Sequence, residues 1–69
     1  MKITTPMTPE MGEHIRLARQ SSGLTQAKLA WNADTTAAQV SLIEGGTPQS
    51  MPALERVCAF LGLEVESGK

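Results

Sequence analysis

The sequence predicts an all-α fold, a compact bundle of four to five helices built around a helix-turn-helix, with a short terminal strand allowed for at a dimer interface. Three observations carry this. Thr8, Thr25, Thr36 and Ser50 each stand just ahead of a segment with helical apolar spacing, where a side-chain oxygen can accept from a free backbone amide. Two of those segments are short and joined by a turn around Asp34, a residue type that tolerates left-handed backbone. Leu63-Glu64-Val65-Glu66, near the end, alternates apolar and charged residues.

Residues 1–7 have no helical periodicity and read as a flexible arm or an extended segment. Thr8-Pro9-Glu10 then opens the first helix: Thr8 caps, Pro9 suits the first helical position, and Glu10 complements the positive end of the dipole. Met11, Ile15, Ala18 and Ser22 fall on one stripe, and Gly23 stops the helix near Ser22. Thr25 caps a second helix from about Gln26 to Ala33, with Leu29, Ala30 and Ala33 on one face. Thr36 caps a third from about Ala37 to Gly45, with Val40 and Ile43 sharing the inward face. Gly45 to Gln49 is a loop by composition. Ser50 caps a fourth helix with Pro52 in its first turn and an expected buried stripe of Met51, Leu54, Val57, Cys58 and Leu61, ended by Gly62. The tail after Leu63 fits either a strand or a helical extension. As a strand it needs a partner, from the Ile3-Thr4-Thr5 segment or from a second copy. The expected organisation is thus an arm over 1–7, a domain over 8–63 and a tail over 64–69.

Two short helices joined at a steep angle by a tight turn are the unit that places its second helix in a DNA major groove. Composition pulls the other way, since the net charge of −1 lacks the basic excess that phosphate binding favours. At 69 residues the chain buries only about 60% of its unfolded surface, so burial through oligomerisation is a natural expectation. Its one cysteine, Cys58, excludes an internal disulfide and reads as a small core residue, which fits a reducing, cytoplasmic setting. Neither a membrane-spanning run nor a signal-peptide h-region is apparent. His14 has no companion at metal-ligand spacing, so no metal and no cofactor are expected. A nucleophile with a base partner, a catalytic carboxylate pair and a phosphate-cradling glycine loop are likewise not apparent, and Gly45-Gly46 follows a helix, not a strand. An enzyme is not expected.

The pattern Arg19, Gly23, Leu24, Thr25-Gln26, Leu29-Ala30, Thr36, Val40, Ile43-Glu44, Gly46, Leu54, Val57 and Leu61-Gly62, spanning about Met11 to Leu63, resembles the Cro and phage-repressor (xenobiotic-response-element) type helix-turn-helix family. The resemblance implies a buried ion pair between Arg19 and Glu44. It implies that Gln26 and Thr36 meet phosphate and that Ala37, Ala38, Gln39 and Leu42 face base edges, with Thr25, Lys28 and Ser41 in the same DNA-binding set. Of the base-facing residues only Gln39 can make a bidentate contact, preferentially to adenine. Ala37, Ala38 and Leu42 can offer apolar contact to thymine methyls. Arg16, Lys28 and Arg56 are the expected mobile positive charge. The reading that follows is a transcriptional repressor, a homodimer on a palindromic operator. A narrower resemblance, on Lys2-Ile3, Thr8-Pro9, Arg19-Gln20 and Leu61-Gly62-Leu63-Glu64, is to antitoxins of the high-persistence type, whose partner is a toxin protein and whose residues after the fourth helix form strands across a homodimer. The rival is a protein-interaction module that keeps the scaffold. The homodimer is expected to assemble through the fourth helix and the Leu63 to Glu66 tail. In either reading Trp31, Phe60, Leu63 and Val65 are the dimer or partner contacts, with packing on the N-terminal arm the alternative for Trp31, and a core position the alternative for Phe60. Met7, Met11 and Met51 read as core filler.

Overall fold

The computed structural model describes residues 2–4 and 7–66. Met1, Thr5 and Pro6 of the expected arm and residues 67–69 of the expected tail lie outside them. The element order is β1 (Lys2–Thr4), α1 (Pro9–Ser21), α2 (Gln26–Asn32), α3 (Ala37–Glu44), α4 (Met51–Leu61) and β2 (Glu64–Glu66). Four helices, not five, occupy the described residues.

Each helix begins where a hydroxyl can satisfy a free amide. Thr8 Oγ1 accepts from Met11 N at 3.3 Å, Thr25 Oγ1 from Lys28 N at 3.1 Å, Thr36 Oγ1 from Gln39 N at 3.2 Å and Ser50 Oγ from Ala53 N at 3.3 Å. Each cap contributes about 1 kcal/mol. The ends are equally uniform: one residue turns left-handed and the next amide bonds back to a carbonyl five residues earlier. The left-handed residue is Gly23, Gly46 or Gly62 in α1, α3 and α4, and Asp34 (φ 57°) in α2. The backward bonds are Leu24 N to Arg19 O, Thr35 N to Ala30 O, Thr47 N to Leu42 O and Leu63 N to Cys58 O, between 2.8 and 3.2 Å.

The core joins all six elements. Ile3, Ile15, Leu29, Val40, Ile43, Leu54, Val57 and Cys58 are fully buried, with Ala30, Ala33 and Ala53 beside them. Two expected stripes hold at their centres, Ile15 in α1 and Leu54, Val57 and Cys58 in α4, and differ at their ends. In α1 the buried positions are Gly12 and Ile15, with Met11 and Ala18 half-buried and Ser22 exposed. In α4 they are Ala53, Leu54, Val57 and Cys58, while Met51 is exposed and Leu61 only leans on the core. Met51 sits at the first position of its helix, ahead of the turn that meets the core, so it is not filler; Met7 and Met11 do pack against the core.

The tail is a strand, and its partner is the N-terminal segment of the same chain. β1 and β2 run parallel with Lys2 opposite Glu64, Ile3 opposite Val65 and Thr4 opposite Glu66. Parallel pairing between the two ends demands a long crossover, and the whole helical bundle supplies it. Ile3 is driven there by burial, worth about 1.5–3 kcal/mol for a side chain of its size. The arm is therefore docked at Ile3, and Leu63 and Val65 rest against their own core.

Candidate nucleic-acid interface

The α2–α3 unit is clamped from behind at three points. Arg19, from α1, places Nε 2.5 Å and Nη2 3.2 Å from the two carboxylate oxygens of Glu44 at the end of α3, while its Nη1 donates to Leu24 O at 2.8 Å. Gln26, at the start of α2, adds a bond from Nε2 to Glu44 Oε1 at 3.0 Å. One carboxylate thus accepts from both flanking elements, and the pair is withdrawn from solvent, with 11% and 4% of the two side chains exposed. Burial makes the arrangement dependent on complete pairing.

The second point is Gly12. A Cβ there would lie 2.7 Å from the Glu44 carbonyl carbon and 2.9 Å from Gly46 N, so α1 and the end of α3 meet backbone to backbone. Gly46, at φ 87°, faces the start of α1 just as closely, with Pro9 N at 2.7 Å from where its Cβ would be. The third point is Arg56 of α4. Its Nε donates to Ala33 O at 3.1 Å and its Nη2 to Asp34 O at 3.3 Å, gripping the carbonyls of the turn between α2 and α3. Neither device is read from sequence. A glycine inside a helix otherwise made of good formers was the available sign for Gly12. Nothing local marks the partners of Arg56, which lie more than twenty residues away.

On the open side, Val40, Ile43 and Glu44 are turned inward, and α3 exposes Ala37, Ala38 and Ser41 with Leu42 half-buried. Thr36 and Thr25, exposed, border this face at the starts of α3 and α2, and Lys28 projects from α2. Gln39 departs from the expected posture. It is half-buried on the flank, its Oε1 is enclosed, and no donor reaches that oxygen.

The expected mobile charge is largely committed. Arg56 holds the turn. Arg16 forms an ion pair with Glu13 one turn earlier, with its Nε 3.1 Å from Glu13 Oε1. That hydrogen bond and charge hold the Glu13 carboxyl below the usual carboxylate range. Of the three cations expected to be free, Lys28 alone has a side chain with no hydrogen-bond or ion-pair partner among the described residues. Trp31 is 83% exposed on α2, so it does not pack on the N-terminal arm, and Phe60 is 47% exposed near the end of α4.

Among the described residues no helix is long and apolar enough to cross a membrane, and no group of three or more His, Cys, Asp or Glu side chains is placed to hold a metal ion. No curated protein matches the chain closely enough to count as a relative. A family model described as a helix-turn-helix domain matches residues 10–67, from the first turn of α1 past β2. With α2 and α3 joined by a turn at Asp34 and the outer face of α3 open, the chain belongs to the helix-turn-helix domain family, a DNA-binding class.

Proposed function

We propose that this chain is a sequence-specific transcriptional repressor that binds a palindromic operator as a homodimer. The observation that carries the proposal is the asymmetry of α3. Its inner side is fixed by Val40, Ile43 and the Arg19–Glu44–Gln26 network, and its outer side holds only small or apolar side chains and the Ser41 hydroxyl. A rigid helix with a bare outer face suits insertion into a groove about 12 Å wide. The amide of Gln26 has two hydrogens and gives one to Glu44, which leaves the other for a phosphate oxygen. Weak charge on one copy is the reason for two: a two-fold dimer spaces its reading helices by about 34 Å and doubles each set of contacts. No cofactor and no catalysis enter this reading, and its finer form is the antitoxin of a toxin–antitoxin pair.

The test is a titration of the full chain against duplexes selected from a random pool, at several salt concentrations, beside scrambled duplexes. A repressor binds the selected duplex at least about a thousandfold more tightly than the scrambled one, with affinity falling as salt rises. Equal affinity for both sinks this reading.

The second reading, a protein-interaction module on the same scaffold, is favoured by Trp31. A large aromatic 83% exposed on α2 is the kind of anchor that protein interfaces bury. A chain that shows no preference among duplexes while Trp31→Ala abolishes capture of a partner belongs to that reading.

A further inference from the structure

We infer that α3 reads thymine C5-methyl groups, so that sequence preference comes from apolar contact on Ala38 and Leu42 and not from an amide contact to adenine by Gln39. The inference rests on the DNA-binding reading above. At 100° per residue, Ala37, Ser41, Ala38 and Leu42 span an arc of about 140°, and that arc is the exposed side of the helix. The only charged residue in α3, Glu44, adjoins the arc beside Ala37 but is buried against Arg19 and so is not presented on it. Ser41 is the one polar side chain within the arc, and a hydroxyl serves donors and acceptors alike, so it discriminates little.

Gln39 lies off this arc. A bidentate contact to adenine needs its amide oxygen and nitrogen presented together, and the oxygen is enclosed without a donor. Bringing it out requires the side chain to leave its flank position. Apolar contact remains, and in the major groove thymine is the base that offers an apolar group. Ala38 and Leu42 are four residues apart, roughly 6 Å along the helix axis, close to two base-pair steps at about 3.4 Å each. Thymines two steps apart in each half-site are therefore the matching target.

Replacing thymine by deoxyuridine deletes the methyl and leaves every hydrogen-bonding edge intact, which makes it the direct probe. Duplexes selected by the full chain are resynthesised with deoxyuridine at one thymine at a time. Affinity should fall about fourfold at each contacted position, the factor that corresponds to one buried methyl-sized group. The converse exchange, cytosine to 5-methylcytosine at a contacted position, should raise affinity by a similar factor. Leu42→Ala should abolish the deoxyuridine effect at one position and leave it at the other, which a general loss of folding does not do. Selected duplexes that bind well yet keep their affinity within about twofold on every deoxyuridine exchange overturn methyl reading alone. Gln39→Ala changing base preference more than any of these exchanges also overturns it. A pool from which no duplex is enriched overturns the DNA reading and the inference with it.

Discussion

Arg19 and Glu44 face each other across the back of the helix-turn-helix, with Nε 2.5 Å from Oε2 and Nη2 3.2 Å from Oε1. Twenty-five residues separate them in sequence, and Gln26 completes the set by donating to the same carboxylate. This pair is a registration device, since it ties α1 to the end of α3 while Gln26 ties in the start of α2. Its exposure of 11% and 4% places it with buried pairs, whose loss costs more than their presence contributes.

Glu44→Ala should therefore strand a buried guanidinium and destabilise the domain by about 3–5 kcal/mol. A chain of this length has on the order of 3–10 kcal/mol in total, so the variant sits near or past unfolding. Urea denaturation followed by far-ultraviolet circular dichroism checks this. Trp31 fluorescence is a poor reporter, because that side chain is already 83% exposed in the folded state. A loss below about 0.5 kcal/mol, the size of an ordinary surface change, would reject the role given to the pair.

Gly12 and Gly62 make opposite predictions from the same substitution. Alanine at Gly12 drives a methyl into the Glu44 and Gly46 backbone, where nothing flexible can give way. Overpacking of this kind costs about 1–3 kcal/mol or more, and each 1 kcal/mol lowers Tm by about 4–8 °C in a domain of this size. Alanine at Gly62 meets no atom within 4 Å and bears only the strain of φ 78°, about 1–2 kcal/mol. The discriminating readout is operator affinity at a temperature where both variants are folded. Gly12→Ala displaces α3 against α1 and should weaken binding, whereas Gly62→Ala should leave it unchanged.

The local devices were legible in the sequence and the long-range ones were not. Thr8, Thr25, Thr36 and Ser50 cap by reaching three residues ahead, and Asp34 turns left-handed within its own dipeptide, so their roles follow from neighbours. The clamp from Arg56 onto the turn and the close approach at Gly12 each join residues more than twenty apart, and no periodicity encodes them. For β2 the alternation showed that a partner was needed and offered the Ile3 segment or a second copy, and the pairing with β1 selects the first. Arg19 and Glu44 entered only through resemblance, because an arginine and a glutamate that far apart carry no local sign of meeting. The posture of Gln39 was unreadable for another reason: at 200° from Ala37 it lies on the edge of the buried face, where side-chain torsions decide which way it turns.

Burial pushes the Cys58 thiol up to about 11 from the ordinary 9.0. The folded state thus favours the neutral thiol, and the sign follows. A group whose folded pKa is raised contributes its full stability below the unfolded value and loses it as pH rises toward the folded one. Stability should fall between about pH 9 and 11 through this residue. Urea midpoints across that window should drop more steeply for the parent than for Cys58→Ala, whose midpoint is lower below about pH 9 because the core has lost an atom. Parallel slopes in the two proteins would count against this account. At pH 8 a thiol reagent should label Cys58 only at the rate at which the domain opens.

Dimerisation should run through Phe60 and not through the strand edge. Leu63 and Val65 already rest on their own core, and β2 is paired to β1. Joining two β2 edges about a two-fold axis runs them antiparallel, and centred on Val65 that sets Glu64 of each copy opposite Glu66 of the other, like charge against like charge. The exposed apolar side chain close to this end is Phe60, at 47%. Removing the tail is a poor test, since it also strips Ile3 of its strand partner and undermines the fold. Phe60→Glu is the cleaner one. A substitution at a half-exposed site should leave thermal stability of the monomer within about 0.5–1 kcal/mol of the parent, while light scattering reports a monomer where the parent is a dimer. Operator affinity should fall with it, because half of the base and phosphate contacts are lost together. A monomeric Phe60→Glu chain that binds a selected palindrome as tightly as the parent would refute the link between assembly and binding.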